Sequence, residues 1–192
     1  MHIEKFGMGV FYIHDFLTPQ ECARHIGESE AIGYHAAGLT TSEGDRINRD
    51  YRTNDRIIYD NAALADQLYQ RAAPELPPAQ RDWTLSGFNE RFRFYRYQGE
   101  QFFSAHKDGS YVRSGSEESF LTFLIYLNDD FTGGHTDFAW ESIKPKAGSA
   151  LVFPHRQMHQ GSAVQSGTKY VLRTDVMYHA PAGYVPEMDQ VC

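Results

Sequence analysis

The sequence predicts a mainly β fold, a sandwich or barrel, with helices contributed by its N-terminal half. Three observations carry that expectation. The segments FRFYRY (92–97), SFLTFLIYL (119–127), SALVFP (149–154) and KYVLRTDVMY (169–178) are rich in aromatic and β-branched residues, which suit a pleated, half-buried surface. Turn signals at Gly99, Asp108-Gly109, Gly133-Gly134, Gly148 and Ser166-Gly167 separate them. The helix-forming patterns both precede Trp83.

The first helix starts at TPQE, with Thr18 as N-cap, Pro19 at the first helical position and Glu21 three residues after the cap; it is expected to run to about Ala31. A second start is read at Asp60, after which Leu64, Leu68 and Ala72 recur at four-residue spacing until Pro74 closes the segment. Between them, residues 38–55 (GLTTSEGDRINRDYRTND) are polar and charged without sustained periodicity, which predicts a long loop. Loops of that length beside a barrel mouth are ready closing elements. We expect a lid carrying Arg46, Arg49, Tyr51 and Arg52 over an inner wall of Arg91, Arg93 and Tyr95. The chain is expected to form one domain over 1–192, with 1–82 as helical support and lid region and 83–180 as the strand-built core.

Composition narrows the class. Against 25 Asp and Glu stand 18 Lys and Arg, a formal charge of −7, so the basic footprint that dominates nucleic-acid affinity is missing. Twelve Tyr and 13 Phe are too many packing groups for a disordered chain. Cys22 and Cys192 are too few for a disulfide framework, and no apolar run approaches the ~20 residues that span a bilayer. A cytoplasmic protein with neither membrane nor nucleic-acid partner is expected.

Of nine histidines, His2, His14, His25, His35 and His179 are read as ordinary packing or solvent-facing groups. His106 and Asp108 follow a strand pattern two residues apart, so both can aim at one point, and His159 arrives 51 residues after Asp108 from a later strand. Two imidazoles and one carboxylate bound on one face, with positions left open, is the arrangement of a non-haem Fe(II) oxygenase. Strict alternation puts Lys169, Val171 and Arg173 on one inward row. A cation there needs an anion: a dicarboxylate co-substrate could chelate iron through its 2-oxo acid end and rest its far carboxylate on Lys169, assisted by the Tyr126 phenol. Arg173 could touch substrate or neutralise buried carboxylates such as Asp108. Alternation back from Tyr97 gives a pocket row of Tyr95, Arg93, Arg91 and Asn89, with Phe92 and Phe94 turned toward the helices. Arginines in that row suit an anionic substrate, because a guanidinium offers a planar donor fork. Pairing of Arg91 and Arg93 with Asp or Glu beyond the rim is the alternative.

The pieces RYQGEQFFSAHKDG, IYLNDDFTGGHTDF, KPKAGSALVFPH and MHQGSAVQSGTKYVLRTDVMY together resemble the prolyl 4-hydroxylase-like branch of the Fe(II)/2-oxoglutarate-dependent dioxygenases, in that family's order and with similar spacing over most of 92–178. The resemblance implies a double-stranded β-helix, or jelly-roll, core, to which the N-terminal helices read above are added. It implies His106, Asp108 and His159 as iron ligands, and Lys169 as binder of the C5 carboxylate of 2-oxoglutarate. Tyr126 and Tyr97 follow as hydrogen-bonding helpers, and Thr136 as a pocket-wall position. It implies Fe(II), 2-oxoglutarate and O2, with ascorbate as reductant. The activity implied is hydroxylation of a C–H bond of a peptidyl residue, free amino acid or other small molecule, prolyl hydroxylation being one option, with release of succinate and CO2.

Competing expectations are weaker. His155 and His159 have the spacing of a helical zinc pair, but a strand ending at Pro154 and a turn at Gly161 bracket them, so His155 is read as a rim residue. His135, after two glycines, is assigned to a loop. No nucleophile-elbow motif points to a hydrolase. A cupin-like module that holds metal without turnover could use the same triad, but would have no need of Lys169 with Tyr126.

Overall fold

The computed structural model describes residues 1–41, 44–46 and 48–185. Its centre is a large antiparallel sheet in which the four strand segments read from the sequence lie side by side, in the order Ala150–Pro154, Glu117–Tyr126, Thr168–His179, Arg91–Gln98. Each has a side chain period of two, and each splits its residues between two apolar layers. Phe92, Phe94, Phe123, Ile125, Val152 and Leu172 face one layer, shared with Leu64, Ala65 and Leu68 of the second helix. Tyr95, Tyr97, Tyr126, Leu151, Phe153 and Val171 face the other. That second layer is closed by a smaller sheet, in the order Phe103–His106, His159–Gly161, Thr136–Phe138, Ser142–Ile143.

The helices buttress the first layer, as the stripe on Leu64, Leu68 and Ala72 requires. The first runs Pro19–Ile32 behind a reciprocal capping box, with Thr18 Oγ1 accepting from Glu21 N–H and the Glu21 carboxylate accepting from Thr18 N–H. Glu21 also receives two hydrogen bonds from Arg71, at 2.7 and 3.0 Å, which tie the helices together. The second helix, Ala62–Ala72, is capped by Asn61 rather than Asp60, because Asp60 ends a strand and its carboxylate is taken by Arg91.

The 1–82 region contributes strands as well as helices. His2–Gly7 and Val10–His14 form a hairpin that extends the large sheet past Ala150–Pro154. Its turn, Gly7-Met8-Gly9, holds three successive residues at positive φ (86°, 52° and 77°), a path for which glycine on either side of Met8 is suited. Asp55–Asp60 is a further strand, paired to Arg91–Gln98 on the opposite flank. The expected loop at 38–55 is therefore shorter than its polarity suggested. Leu39–Thr41 and Gly44–Arg46 pair as antiparallel strands, and Arg52 bridges to Phe103. Ser42, Glu43 and Ile47, and with them much of the expected lid, lie outside the described residues, as does the side chain of Arg46. Among the described residues no helix is long and apolar enough to cross a membrane.

Candidate active site

Between the two sheets lies a narrow cavity of about 30 Å³, bounded by His106, Asp108 and His159 and also by Lys169, Tyr97 and Thr136. Tyr95, Phe103, Leu124, Val171 and Arg173 complete most of its wall. Strand register explains the gathering. His106 and His159 are direct cross-strand partners in the small sheet. On the large sheet, Lys169 stands opposite Tyr97, Val171 opposite Tyr95 and Arg173 opposite Leu124, so the inward row expected from alternation is the row the fold presents.

One ligand atom from each of His106, Asp108 and His159 lies within 4.8 Å of the others. His106 Nε2 is 3.7 Å from Asp108 Oδ1, and His159 Nε2 is 3.9 Å from Oδ2. Each imidazole is oriented through its other nitrogen: His106 Nδ1 donates to Ser104 C=O at 2.7 Å and His159 Nδ1 to Gln157 C=O at 2.9 Å. A proton fixed on Nδ1 leaves the Nε2 lone pair free, which is the tautomer a metal needs. Burial keeps both rings neutral, His106 being pushed down to about 4 by desolvation and by His159. Burial alone would raise the Asp108 carboxyl, but the Arg173 guanidinium, His159 and the Thr122 hydroxyl hold it well below the usual carboxylate range. Two neutral imidazoles and one carboxylate, convergent and oriented, fit a divalent iron ion.

Asp108 is held on both oxygens. Arg173 Nη1 reaches Oδ1 at 3.0 Å and Thr122 Oγ1 donates to Oδ2 at 2.5 Å. Arg173 also pairs with Asp175, which receives Arg93 and Asn89 on its other oxygen. Of its two possible roles, Arg173 thus serves buried carboxylates while also lining the cavity. Behind Thr122 stands His155, buried rather than on the rim: its Nδ1 donates to Thr122 Oγ1 at 2.9 Å and its Nε2 accepts from Ser119 Oγ at 2.7 Å. Thr122 gives its proton to Asp108, so the proton between His155 and Thr122 sits on Nδ1, and burial, which pushes His155 down to about 4, leaves Nε2 to accept from Ser119. His155 and His159 do not converge as a helical zinc pair; one orients a ligand of the set that contains the other. His155→Ala should weaken Fe(II) binding about tenfold to hundredfold, because the unanchored Thr122 no longer fixes Asp108. Anaerobic metal titration measures this, and wild-type affinity would refute it.

At another wall, Lys169 is 3% exposed and no carboxylate pairs with it among the described residues. Its Nζ donates to Gly134 C=O at 2.6 Å and lies 5.1 and 5.3 Å from the Tyr97 and Tyr126 ring centres. Desolvation pushes its pKa down to about 7. A buried ammonium held by a carbonyl and two ring faces suits the distal carboxylate of a dicarboxylate. Gly134 makes the approach possible: φ is +63°, and an added Cβ would meet Phe131 and Val164 at 3.0 Å and the Lys169 stem at 3.2 Å. Gly134→Ala should cost about 1–2 kcal/mol from the left-handed backbone alone. It should also displace the ammonium, so that thermal unfolding and 2-oxoglutarate affinity fall together.

Not every expected residue joins the cavity. Tyr126 is fully buried beneath it, its hydroxyl 2.6 Å from Thr136 Oγ1, so it supports the threonine that faces the cavity. Arg93 stands behind the wall on Asp175. Arg91 is exposed and bound bidentately to Asp60, so it leaves the expected pocket row because that row runs past the edge of the small sheet. Asn89 likewise turns to Asp175. His135 is half-buried beside Ser142, in the loop its assignment anticipates.

Comparison with known proteins finds the likeness in the strand-built part of the chain. Residues 92–174 match the family model of the 2OG-Fe(II) oxygenase superfamily. It is 23% identical over 188 residues to Prolyl 4-hydroxylase 1 of Arabidopsis thaliana, covering 84% of this chain and 66% of that relative, just under two thirds of its length. Among solved structures, the viral collagen prolyl hydroxylase of Paramecium Bursaria Chlorella virus-1 in its 2OG complex is 20% identical with a TM-score of 0.64, over 89% of this chain and 97% of that one. A Trichoplax adhaerens prolyl hydroxylase, in complex with a hypoxia inducible factor oxygen degradation domain peptide fragment, is 16% identical with a TM-score of 0.66, over 88% and 83%. The expected jelly-roll fold holds.

Proposed function

We propose that this chain is an Fe(II)- and 2-oxoglutarate-dependent dioxygenase that hydroxylates a C–H bond and releases succinate and CO2. The observation that carries the proposal is the pairing, in one cavity, of a convergent His106, Asp108, His159 set with a buried ammonium, Lys169, that has no carboxylate of its own among the described residues. A module that only stored metal would bear the desolvation of Lys169 to no purpose.

Bound by the three ligands, Fe(II) would supply O2 activation coupled to decarboxylation of the 2-oxo acid. The remaining work belongs to the protein. His106 and His159 present Nε2 lone pairs because Ser104 and Gln157 carbonyls hold their Nδ1 protons. Arg173 and Thr122 keep Asp108 ionised and immobile. Lys169 anchors the C5 carboxylate of 2-oxoglutarate, with the Tyr97 hydroxyl and Thr136 as hydrogen-bonding neighbours and Tyr126 positioning Thr136. Phe103, Leu124, Val171 and Tyr95 restrict water.

The substrate is a peptidyl residue, a free amino acid or a similar small molecule. Relatives named as prolyl hydroxylases, one bound to a peptide, support including prolyl peptides. A reducing cytoplasmic setting suits both Fe(II) and the buried free thiol of Cys22. The test is substrate-stimulated succinate release with Fe(II), ascorbate as reductant and O2, across free amino acids and peptides. Failure to bind 2-oxoglutarate in the presence of Fe(II), with no succinate formed, would refute the proposal.

A further inference from the structure

Arg52 is a buried cation that the proposed reaction leaves unused. It is 5% exposed, and its guanidinium lies 4.2 Å from the Phe103 ring centre and 4.7 Å from that of Tyr95. Both rings line the cavity, and Phe103 stacks in turn on the His106 imidazole at 3.5 Å. The backbone around Arg52 is fastened to the strand carrying His106: Thr53 N–H donates to Phe102 C=O at 3.1 Å and Ser104 N–H to Tyr51 C=O at 2.9 Å, either side of the Arg52 and Phe103 bridge. Nε donates to Oδ1 of the fully buried Asn54 at 2.7 Å.

What is missing is an anion. Among the described residues Nη2 has no hydrogen-bond partner, and no carboxylate pairs with the guanidinium. The neighbouring guanidiniums are served, Arg173 by Asp108 and Asp175 and Arg93 by Asp175, and Lys169 awaits 2-oxoglutarate. A buried charge with an unmade donor is costly unless an acceptor arrives. Asn54 and the two rings fix the guanidinium in place, so little side-chain freedom is lost when one does.

Resting on the dioxygenase reading, we propose that Arg52 is a specificity-determining residue that anchors a carboxylate of the substrate through its free Nη2 edge. The substrate class is an amino acid or peptide presenting a carboxylate, either the C-terminal one or an acidic side chain. Arginine suits this better than lysine, because the planar fork can meet both carboxylate oxygens.

The enzyme loaded with Fe(II) and 2-oxoglutarate is assayed with free L-amino acids against their carboxamides, with acetylated Xaa-Pro dipeptides ending in carboxylate or carboxamide, and with amidated Pro-Glu against Pro-Gln peptides. Anaerobic calorimetry on the same pairs reads binding apart from turnover. The expected result is preference for the carboxylate member of one pair type, which identifies the carboxylate's source. Arg52→Gln should raise KM for that member about tenfold to hundredfold, with a smaller change in kcat, and should erase the preference. Arg52→Lys should restore part of it. Turnover with equal use of carboxylate and amide, or a preference that survives in Arg52→Gln and Arg52→Lys, overturns the anchor and leaves the dioxygenase reading standing. Absence of 2-oxoglutarate binding and of succinate in wild type overturns both. The wild-type comparison and Arg52→Lys keep the test decisive if Arg52→Gln does not fold.

Discussion

Alanine at His106 or His159, and asparagine at Asp108, should each reduce succinate release to background, because each would remove one of the three protein bonds to iron proposed for this site. The histidine variants should keep a folded, soluble protein, since each imidazole contributes one hydrogen bond, to Ser104 or Gln157, besides its ring contacts. Asparagine is the better probe at position 108. Asp108→Ala would also deprive the buried Arg173 of one of its two carboxylates, and breaking a buried pair costs about 3–5 kcal/mol. Anaerobic Fe(II) titration with circular dichroism separates lost metal from lost fold. Iron retained in His159→Ala but lost in His155→Ala would reverse the roles assigned to those two residues.

The second large effect is at Lys169, and it has two signs. Lys169→Met should raise the KM for 2-oxoglutarate about tenfold to hundredfold, the worth of one charge-assisted hydrogen bond of roughly 1.5–3 kcal/mol. The same change should leave the protein without 2-oxoglutarate no less stable, because a desolvated charge is replaced by an apolar chain. Binding should also depend on pH. With the folded ammonium pushed down to about 7, protonation at Lys169 burdens the fold most at neutral pH and below, and the burden lifts as pH rises from about 7 toward the ordinary lysine value. A bound carboxylate favours the ammonium, so 2-oxoglutarate should bind with proton uptake above pH 7 and more weakly as pH increases. Calorimetry in buffers of different ionisation enthalpy reads that proton directly. Neither proton uptake nor weakened binding in Lys169→Met would assign the carboxylate to another cation.

The half that carries the candidate site was legible because its signals are local or follow from a period of two. The four strand segments announce themselves by composition, and alternation along 169–175 was enough to put Lys169, Val171 and Arg173 on one face. The same counting extended by two residues reaches Asp175, and from there its cross-strand partner Thr122. His155 was not legible as a support for Asp108, since that role depends on cross-strand register rather than on any motif. The N-terminal hairpin was obscured by the charges and the histidine on its exposed outer strand, and Asp55–Asp60 by its position in a polar stretch, although all three strands belong to the large sheet. Arg91 was misplaced because alternation tells which face a residue takes but not where the opposing sheet ends. Tyr126 was placed on the correct face, yet only the contact with Thr136 shows that its hydroxyl is covered.

The two-sided character of the large sheet should be visible to selection. Along Thr168–His179, Leu172, Val176 and Tyr178 pack under the helices, whereas Lys169, Val171 and Arg173 line the cavity. A saturation scan of this strand, scored in parallel for cellular abundance and for hydroxylase output, should return a comb. Polar substitutions at 172, 176 and 178 should deplete both scores. Conservative replacements at 169 and 173 should spare abundance while lowering output. One strand would thus write robustness and chemistry in alternate letters, so that drift in substrate preference can accumulate on one register without eroding the support held on the other.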